Sequence, residues 1–121
     1  MSKRILVVED QPDNRQILRD LLTSVGFQIL EAEDGASGVS TAAAERPDLI
    51  LMDIQMPVMD GYEATRRIKA DPALKGIPVI VVTSYALSGD EDKARAAGCD
   101  DYITKPYSPR ALLAKVKAYL P

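Results

Sequence analysis

Four short apolar runs that each end in polar residues constrain the fold of this 121-residue chain more than any other feature. An unbroken run of this kind is typical of a strand buried on both faces, as in a parallel sheet. A charged group can end such a strand only where the strand leaves the buried interior of the sheet. Open α/β sheets bind their ligands at the edge formed by the carboxyl ends of their strands. We therefore expect one crevice to collect the residues that end the runs: Glu9-Asp10, Asp53, Thr83-Ser84 and Thr104-Lys105.

The periodicity of the whole chain predicts five strands that alternate with five helices in a single domain, 1–121. The strands are expected at 4–8, 27–32, 49–53, 78–83 and 101–103. The run at 27–32 alternates more loosely than the others, which favours an edge position. Strands alternating with helices predict an α/β fold, with a parallel sheet, helices on both faces and right-handed crossovers. The pattern does not fix the order of the strands.

Capping and stop signals place the helices between these strands. Apolar residues recur at helical spacing from Ile17 to Val25 and stop at Gly26. Asp34 can cap a helix over 35–45, which Pro47 ends by restricting the residue before it. Capping-box spacing predicts a third helix at 61–70 and a fourth closed by Gly98, and a serine followed by proline starts the fifth. The capping residues are Asp60 with Glu63, Ser88 with Glu91, and Ser108 with Pro109.

Composition excludes several classes of function. The net charge of -3 argues against non-specific binding of nucleic acid, which needs a basic face. No apolar run approaches the length of a membrane span, and the start lacks a signal-peptide core, so no membrane insertion is expected. The single cysteine, Cys99, excludes an internal disulfide and suits the cytoplasm. The absence of histidine excludes histidine-based triads and the common zinc sites.

Glu9, Asp10 and Asp53 are the candidate metal ligands. Solvated, idle surface acids are the alternative, but three acids that end two apolar strands would repel one another unless a cation joined them. Without histidine, the ion expected to bind these acids is a hard cation that prefers oxygen ligands, such as Mg²⁺. Lys105 and Thr83 add a positive charge and a hydroxyl group at the same edge, which suits stabilisation of a phosphoryl group. Asp53 is the acid best placed to accept that group.

These residues resemble the response-regulator receiver domain of bacterial two-component signalling over essentially the whole chain. The matching segments are ILVVED at 5–10, LILMDIQMPVMDG at 49–61, VIVVTSYA at 79–86 and YITKP at 102–106. The resemblance implies a flavodoxin-like (βα)5 fold with sheet order 2-1-3-4-5. It also implies that Asp53 is the phospho-acceptor, that Lys105 pairs with the phosphoryl oxygens, and that Mg²⁺ is held by Glu9, Asp10, Asp53 and the backbone carbonyl of Gln55.

The resemblance further implies a switch and a set of tuning positions. Thr83 would move toward the phosphoryl group, and the ring of Tyr102 would turn inward with it. The small Ser84 would leave the phosphoryl group accessible, and Gln55 and Tyr85 would tune the lifetime of the phosphoaspartate. A bulky Tyr85 is expected to lengthen that lifetime by obstructing water. Residues 86–106 also resemble stand-alone cell-cycle receivers of the DivK type.

The expected function is therefore a phosphorylation-controlled switch rather than an enzyme with turnover. A histidine kinase or histidine phosphotransfer protein would donate the phosphoryl group. The surface of the fourth helix, fifth strand and fifth helix would contact a downstream protein, and no effector domain is expected in this chain. One rival is a Mg²⁺-dependent phosphatase or phosphotransferase with an aspartate nucleophile, although Gln55 stands where such enzymes need a second acid. Another is an interaction module that no longer uses phosphate. A dinucleotide-binding domain fails because no glycine-rich fingerprint follows the first strand.

Overall fold

Five strands alternate with five helices in the computed structural model, which describes residues 3–54, 59–83, 90–105 and 107–120. The strands are β1 (Arg4–Val8), β2 (Gln28–Ala32), β3 (Leu49–Asp53), β4 (Val79–Thr83) and β5 (Asp101–Thr104). The helices are α1 (Pro12–Thr23), α2 (Gly35–Glu45), α3 (Gly61–Ala70), α4 (Asp90–Ala96) and α5 (Pro109–Tyr119). None of the described helices combines the length and the apolar character needed to cross a membrane.

The strands form one parallel sheet in the order β2-β1-β3-β4-β5. The predicted α/β class and the 2-1-3-4-5 order implied by the family resemblance are both confirmed. The weaker apolar alternation of β2 correctly indicated an edge strand, since β2 pairs with β1 alone. Because all strands run the same way, every residue that follows a strand's carboxyl end lies at the same edge of the sheet.

Alternate residues of the strands pack into two hydrophobic cores, one on each face of the sheet. On one face Leu6, Ile50 and Val81 pack with α2, α3 and α4, and on the other Ile5, Leu51 and Ile80 pack with α1 and α5. All five residues of β3 and all five of β4 are buried. The central strands are therefore enclosed on both faces, and this packing positions the residues at which they end.

The capping residues act largely as predicted. The carboxylates of Asp34 and Asp60 accept hydrogen bonds from the backbone N–H groups of Ser37 (2.7 Å) and Glu63 (2.9 Å), and the Ser108 hydroxyl accepts one from Ala111 (3.0 Å). Gly26 and Gly98 follow α1 and α4 with φ near +96° and +98°, a backbone region that glycine enters without strain.

Two local details differ from the sequence analysis. The apolar stripe predicted on α1 is narrower than its spacing indicated, because Ile17 and Val25 are 60% and 41% exposed. α2 ends at Glu45 as predicted, but Arg46 is left-handed (φ 47°) rather than extended. The carbonyls of Glu45 and Arg46 accept hydrogen bonds from the Arg4 guanidinium, and these contacts accompany the unusual turn.

Candidate functional site

The candidate site lies at the carboxyl edge of the sheet, where β1, β3, β4 and β5 end. Asp53 and Thr83 are the last residues of β3 and β4, while Glu9 and Lys105 follow β1 and β5 directly. Backbone hydrogen bonds fix these endings: Glu9 N–H donates to the Ala32 carbonyl (3.0 Å) and Lys105 N–H to the Thr83 carbonyl (2.6 Å). The side chains are thus presented by the backbone of the sheet rather than by a long loop.

The structure brings the three predicted acids together. Glu9, Asp10 and Asp53 each offer a carboxylate oxygen, and these oxygens lie within 4.8 Å of one another. Glu9 and Asp53 are only 2% and 6% exposed, whereas Asp10 is half-buried. Carboxylates this close and this buried repel one another strongly when all are ionised.

Lys105 supplies the positive charge at this cluster. Its Nζ atom donates a hydrogen bond to Glu9 Oε1 at 3.2 Å and lies 3.5 Å from Asp53 Oδ1. One ammonium group therefore faces two buried carboxylates, and Asp10 adds a third acid nearby. Within the described residues, the cluster carries more negative charge than Lys105 alone can balance.

The ionisation of the acids reflects this imbalance. Burial, and next the hydrogen bond and charge of Glu9, raise the pKa of Asp53 to about 7 against the opposing effect of Lys105. Burial raises the pKa of Glu9 as well, but hydrogen bonding with Asp53 and the charge of Lys105 outweigh it and hold that pKa below its ordinary value. The pKa of Asp10 is raised by burial and by Glu9. The pair Glu9–Asp53 can thus share one proton when no cation is bound.

The donor set fits a hard divalent cation. Three carboxylate oxygens within 4.8 Å of one another match the oxygen ligands that Mg²⁺ prefers, and Mg²⁺ commonly keeps several water ligands as well. A divalent charge would also offset the repulsion that raises the Asp53 pKa. The arrangement can therefore hold a metal ion and leave coordination positions for an incoming oxygen.

Gly61, the first residue of α3, allows the close approach that positions Asp53. A Cβ atom at Gly61 would overlap the Asp53 backbone carbonyl, and Gly61 N–H donates to the Ile54 carbonyl at 3.0 Å. The N-terminus of α3 is therefore packed directly against the end of β3. This is one of the few positions where only a glycine fits the backbone without a shift.

Thr83 and Tyr102 occupy the same face of the sheet on neighbouring strands. Thr83 is 2% exposed, and Tyr102 is half-buried against the core that includes Ala94 of α4. In the register of β4 and β5, Tyr102 pairs with Val81, two residues before Thr83. Thr83 therefore lies on the face of the sheet that packs against α4.

A cavity of about 510 Å³ opens beside Asp53 on the α1 side of the sheet. Its walls include Asn14, Ile17 and Leu18 of α1, Val82 of β4, and Lys105 and Tyr107, which lie between β5 and α5 in the chain. The walls are mostly apolar, and Asp53 and Lys105 lie at the cavity. Asp53 is therefore reached from a cavity whose wall includes α1.

Arg15 contacts the backbone of the site, and the sequence did not predict this contact. Its guanidinium Nη1 donates a hydrogen bond to the Glu9 backbone carbonyl at 2.8 Å, and its side chain is only 14% exposed. The available signal was weak: one basic residue in the first turns of α1, with one acid, Glu31, on the predicted second strand and another, Glu33, just after it. Three predicted tuning positions, Gln55, Ser84 and Tyr85, lie outside the described residues, as do Ser88 and Pro106.

Comparison with known proteins agrees with this geometry. Residues 5–117 match the response regulator receiver domain. The polar-differentiation response regulator DivK of Brucella anthropi is 42% identical over 120 residues, which cover 99% of this chain and 98% of that protein. The expected resemblance to DivK-type receivers is confirmed by this match.

Solved structures show the same similarity in three dimensions. The receiver domain of the sensor histidine kinase PA1611 from Pseudomonas aeruginosa has a TM-score of 0.92 at 37% identity, covering 99% of this chain and 98% of that one. That crystal structure has a magnesium ion coordinated in its active-site cleft. The chemotaxis protein CheY4 of Vibrio cholerae has a TM-score of 0.92 at 26% identity, covering 98% and 99%. The match over residues 5–117, the identity with DivK and the shared topology together show that the chain belongs to the response-regulator receiver domains of two-component signalling.

Proposed function

We propose that this receiver domain accepts a phosphoryl group on Asp53, with Mg²⁺ bound, from a histidine kinase or a histidine phosphotransfer protein. The observation that carries the proposal is the position of Asp53, a nearly buried carboxylate 3.5 Å from the Lys105 ammonium and within 4.8 Å of two further acids. Such crowding destabilises a fold unless a ligand relieves it, and perturbed acids of this kind concentrate at functional sites.

Glu9, Asp10 and Asp53 would hold the ion, with the backbone carbonyl of Gln55 as a further ligand. Bound there, Mg²⁺ supplies positive charge that offsets the negative charge of the phosphoryl oxygens. The magnesium in the cleft of the PA1611 receiver domain supports this assignment.

In the transfer, an ionised Asp53 oxygen attacks phosphorus and forms a P–O bond while the P–N bond to the donor histidine breaks. The leaving imidazole keeps the bonding electron pair and takes a proton from solvent. Lys105 would exchange its contact with Glu9 for one with a phosphoryl oxygen, and the position of its Nζ near both acids supports this role. The cavity lined by Ile17 and Leu18 gives the donor side chain its approach to Asp53.

The added charge would be read out through Thr83 and Tyr102. The Thr83 hydroxyl would bond a phosphoryl oxygen, and Tyr102, packed on the same face against the α4 core, would follow. The surface of α4, β5 and α5 would then change its affinity for a downstream protein. Ser84 would leave the phosphoryl group accessible, while Gln55 and Tyr85 would set its lifetime.

Intact-mass measurement after incubation with Mg²⁺ and acetyl phosphate tests the proposal. We expect wild type to gain a single phosphoryl group and Asp53→Asn to gain none, because an amide is a poor acceptor. Asp48→Asn is the matched control, since Asp48 lies at the other end of β3 and pairs with the Arg4 backbone N–H. Equal uptake by Asp53→Asn, or release of many equivalents of phosphate from a small phosphomonoester, would contradict the proposal.

A further inference from the structure

Arg15 restrains the backbone that carries two of the acids. Its Nη1 atom donates to the Glu9 carbonyl at 2.8 Å, while the Glu9 N–H donates to the Ala32 carbonyl at 3.0 Å. The peptide groups on both sides of Glu9 are therefore fixed, one by a side chain and one by β2. The Arg15 contact is made to the peptide that joins Glu9 to Asp10.

The guanidinium is itself held from the opposite side. Arg15 Nε lies 3.6 Å from Glu31 and Nη2 lies 3.8 Å from Glu33, while Arg19 binds Glu31 at 3.0 Å. Glu31 belongs to β2, so the network ties α1 to the edge strand and leaves Nη1 directed at the Glu9 carbonyl. A planar guanidinium suits this role because its donors diverge in a fixed fork.

We propose that Arg15 is a positioning residue for the cation site: it fixes the Glu9–Asp10 peptide so that both carboxylates stay directed at Asp53. The inference rests on the proposed function. Without the restraint, repulsion among the acids would turn this peptide, and the half-buried Asp10 would move toward solvent. Groups that orient metal ligands through hydrogen bonds commonly control metal affinity by 10–100-fold, on the order of what is expected here.

Charge alone predicts the opposite result. Arg15 is a cation beside an acidic site, so its removal would attract Mg²⁺ more strongly if electrostatics governed the effect. Loss of positioning would instead weaken binding. The sign of the change in affinity therefore separates the two accounts.

The experiment measures Mg²⁺ affinity by isothermal titration calorimetry for wild type, Arg15→Gln, Arg15→Lys and Arg19→Gln. We expect Arg15→Gln to bind Mg²⁺ about 10-fold more weakly. Arg15→Lys should be intermediate, because a lysine ammonium can donate to the Glu9 carbonyl but lacks the divergent fork of donors that also faces Glu31 and Glu33. Arg19→Gln is the matched control: it removes the same charge from the same helix and the same Glu31 partner, and its affinity should stay that of wild type.

A second readout separates positioning from loss of fold. The rate of phosphorylation by acetyl phosphate should return to the wild-type value in Arg15→Gln at saturating Mg²⁺, with only the half-saturating concentration raised. Affinity in Arg15→Gln equal to or tighter than wild type would overturn the inference, as would an equal loss in Arg19→Gln. If Arg15→Gln does not fold, Arg15→Lys decides, and wild-type or tighter binding there overturns the inference. Wild type that binds no Mg²⁺ would overturn the proposed function itself.

Discussion

The two ends of the same sheet use their acids in opposite ways. At the amino ends of the strands, Asp48 accepts a hydrogen bond from the Arg4 N–H (2.8 Å), and Asp100 accepts from the Val79 N–H (2.8 Å) and from Lys69 (2.7 Å). At the carboxyl ends, the ammonium of Lys105 lies near Glu9 and Asp53, and Asp10 is a third acid in the same cluster. The first arrangement stabilises the fold, and the second costs free energy that a ligand can recover.

Removal of an acid at the amino ends should have the largest effect. Asp100→Ala leaves the buried Val79 N–H without its acceptor and Lys69 without its ion pair, so we expect the free energy of unfolding to fall by about 2 kcal/mol. Urea denaturation checks this value. Asp100→Asn keeps an acceptor oxygen and should lose less, and an equal loss in both variants would break this half of the comparison.

Removal of an acid at the carboxyl ends should have the opposite sign. Asp53→Asn abolishes one buried negative charge next to Glu9, so at pH 8 without Mg²⁺ we expect the free energy of unfolding to rise by about 1 kcal/mol. Lys105 limits the gain because it loses part of its ion pairing. A destabilised Asp53→Asn protein under these conditions would mean that the two ends of the sheet do not differ.

The pH dependence sharpens the same contrast. The pKa of Asp53 is near 3.8 in the unfolded chain and about 7 in the fold, so between these values the folded state binds more protons. Stability without metal should therefore fall as pH rises from about 4 through 7, and the Asp10 shift acts in the same direction. The lowered pKa of Glu9 opposes this trend near the acid end. Denaturation at pH 5.5 and 8 should show a smaller difference for Asp53→Asn than for wild type.

An exposed acid outside both regions should have the smallest effect. Glu63 on α3 contacts Arg66 and Arg67 at 3.2 Å, but all three side chains are well exposed and solvent screens their attraction. We expect Glu63→Gln to leave the midpoint of thermal unfolding nearly unchanged at moderate salt. A shift as large as that of Asp100→Ala would show that burial is not what separates the acids.

The sequence predicted the fold because its local signals agree with one another. The runs at 49–53 and 79–83 are fully buried strands, and Asp34, Asp60 and Ser108 cap the helices they precede. The order of the strands could not be predicted from periodicity, since alternation alone permits several arrangements. The prediction of that order came from the family resemblance.

The site was predictable only in part. Polar residues at parallel strand ends must share an edge, so the meeting of Glu9, Asp53 and Lys105 followed from the pattern. The Arg15 contact could not follow, because it depends on how α1 packs beside β2 and on a side chain reaching a backbone carbonyl six residues earlier. The exposure of Ile17 likewise depends on how α1 packs on the sheet, which helical spacing alone does not fix.

Unfolding in urea at pH 8, with and without saturating Mg²⁺, tests the central claim most directly. If the acids at the carboxyl ends are held in a repulsive arrangement that a cation relieves, Mg²⁺ will raise the free energy of unfolding of wild type and of Asp48→Asn, and will raise it far less in Asp53→Asn. Equal stability of the wild-type protein with and without Mg²⁺ would contradict the account.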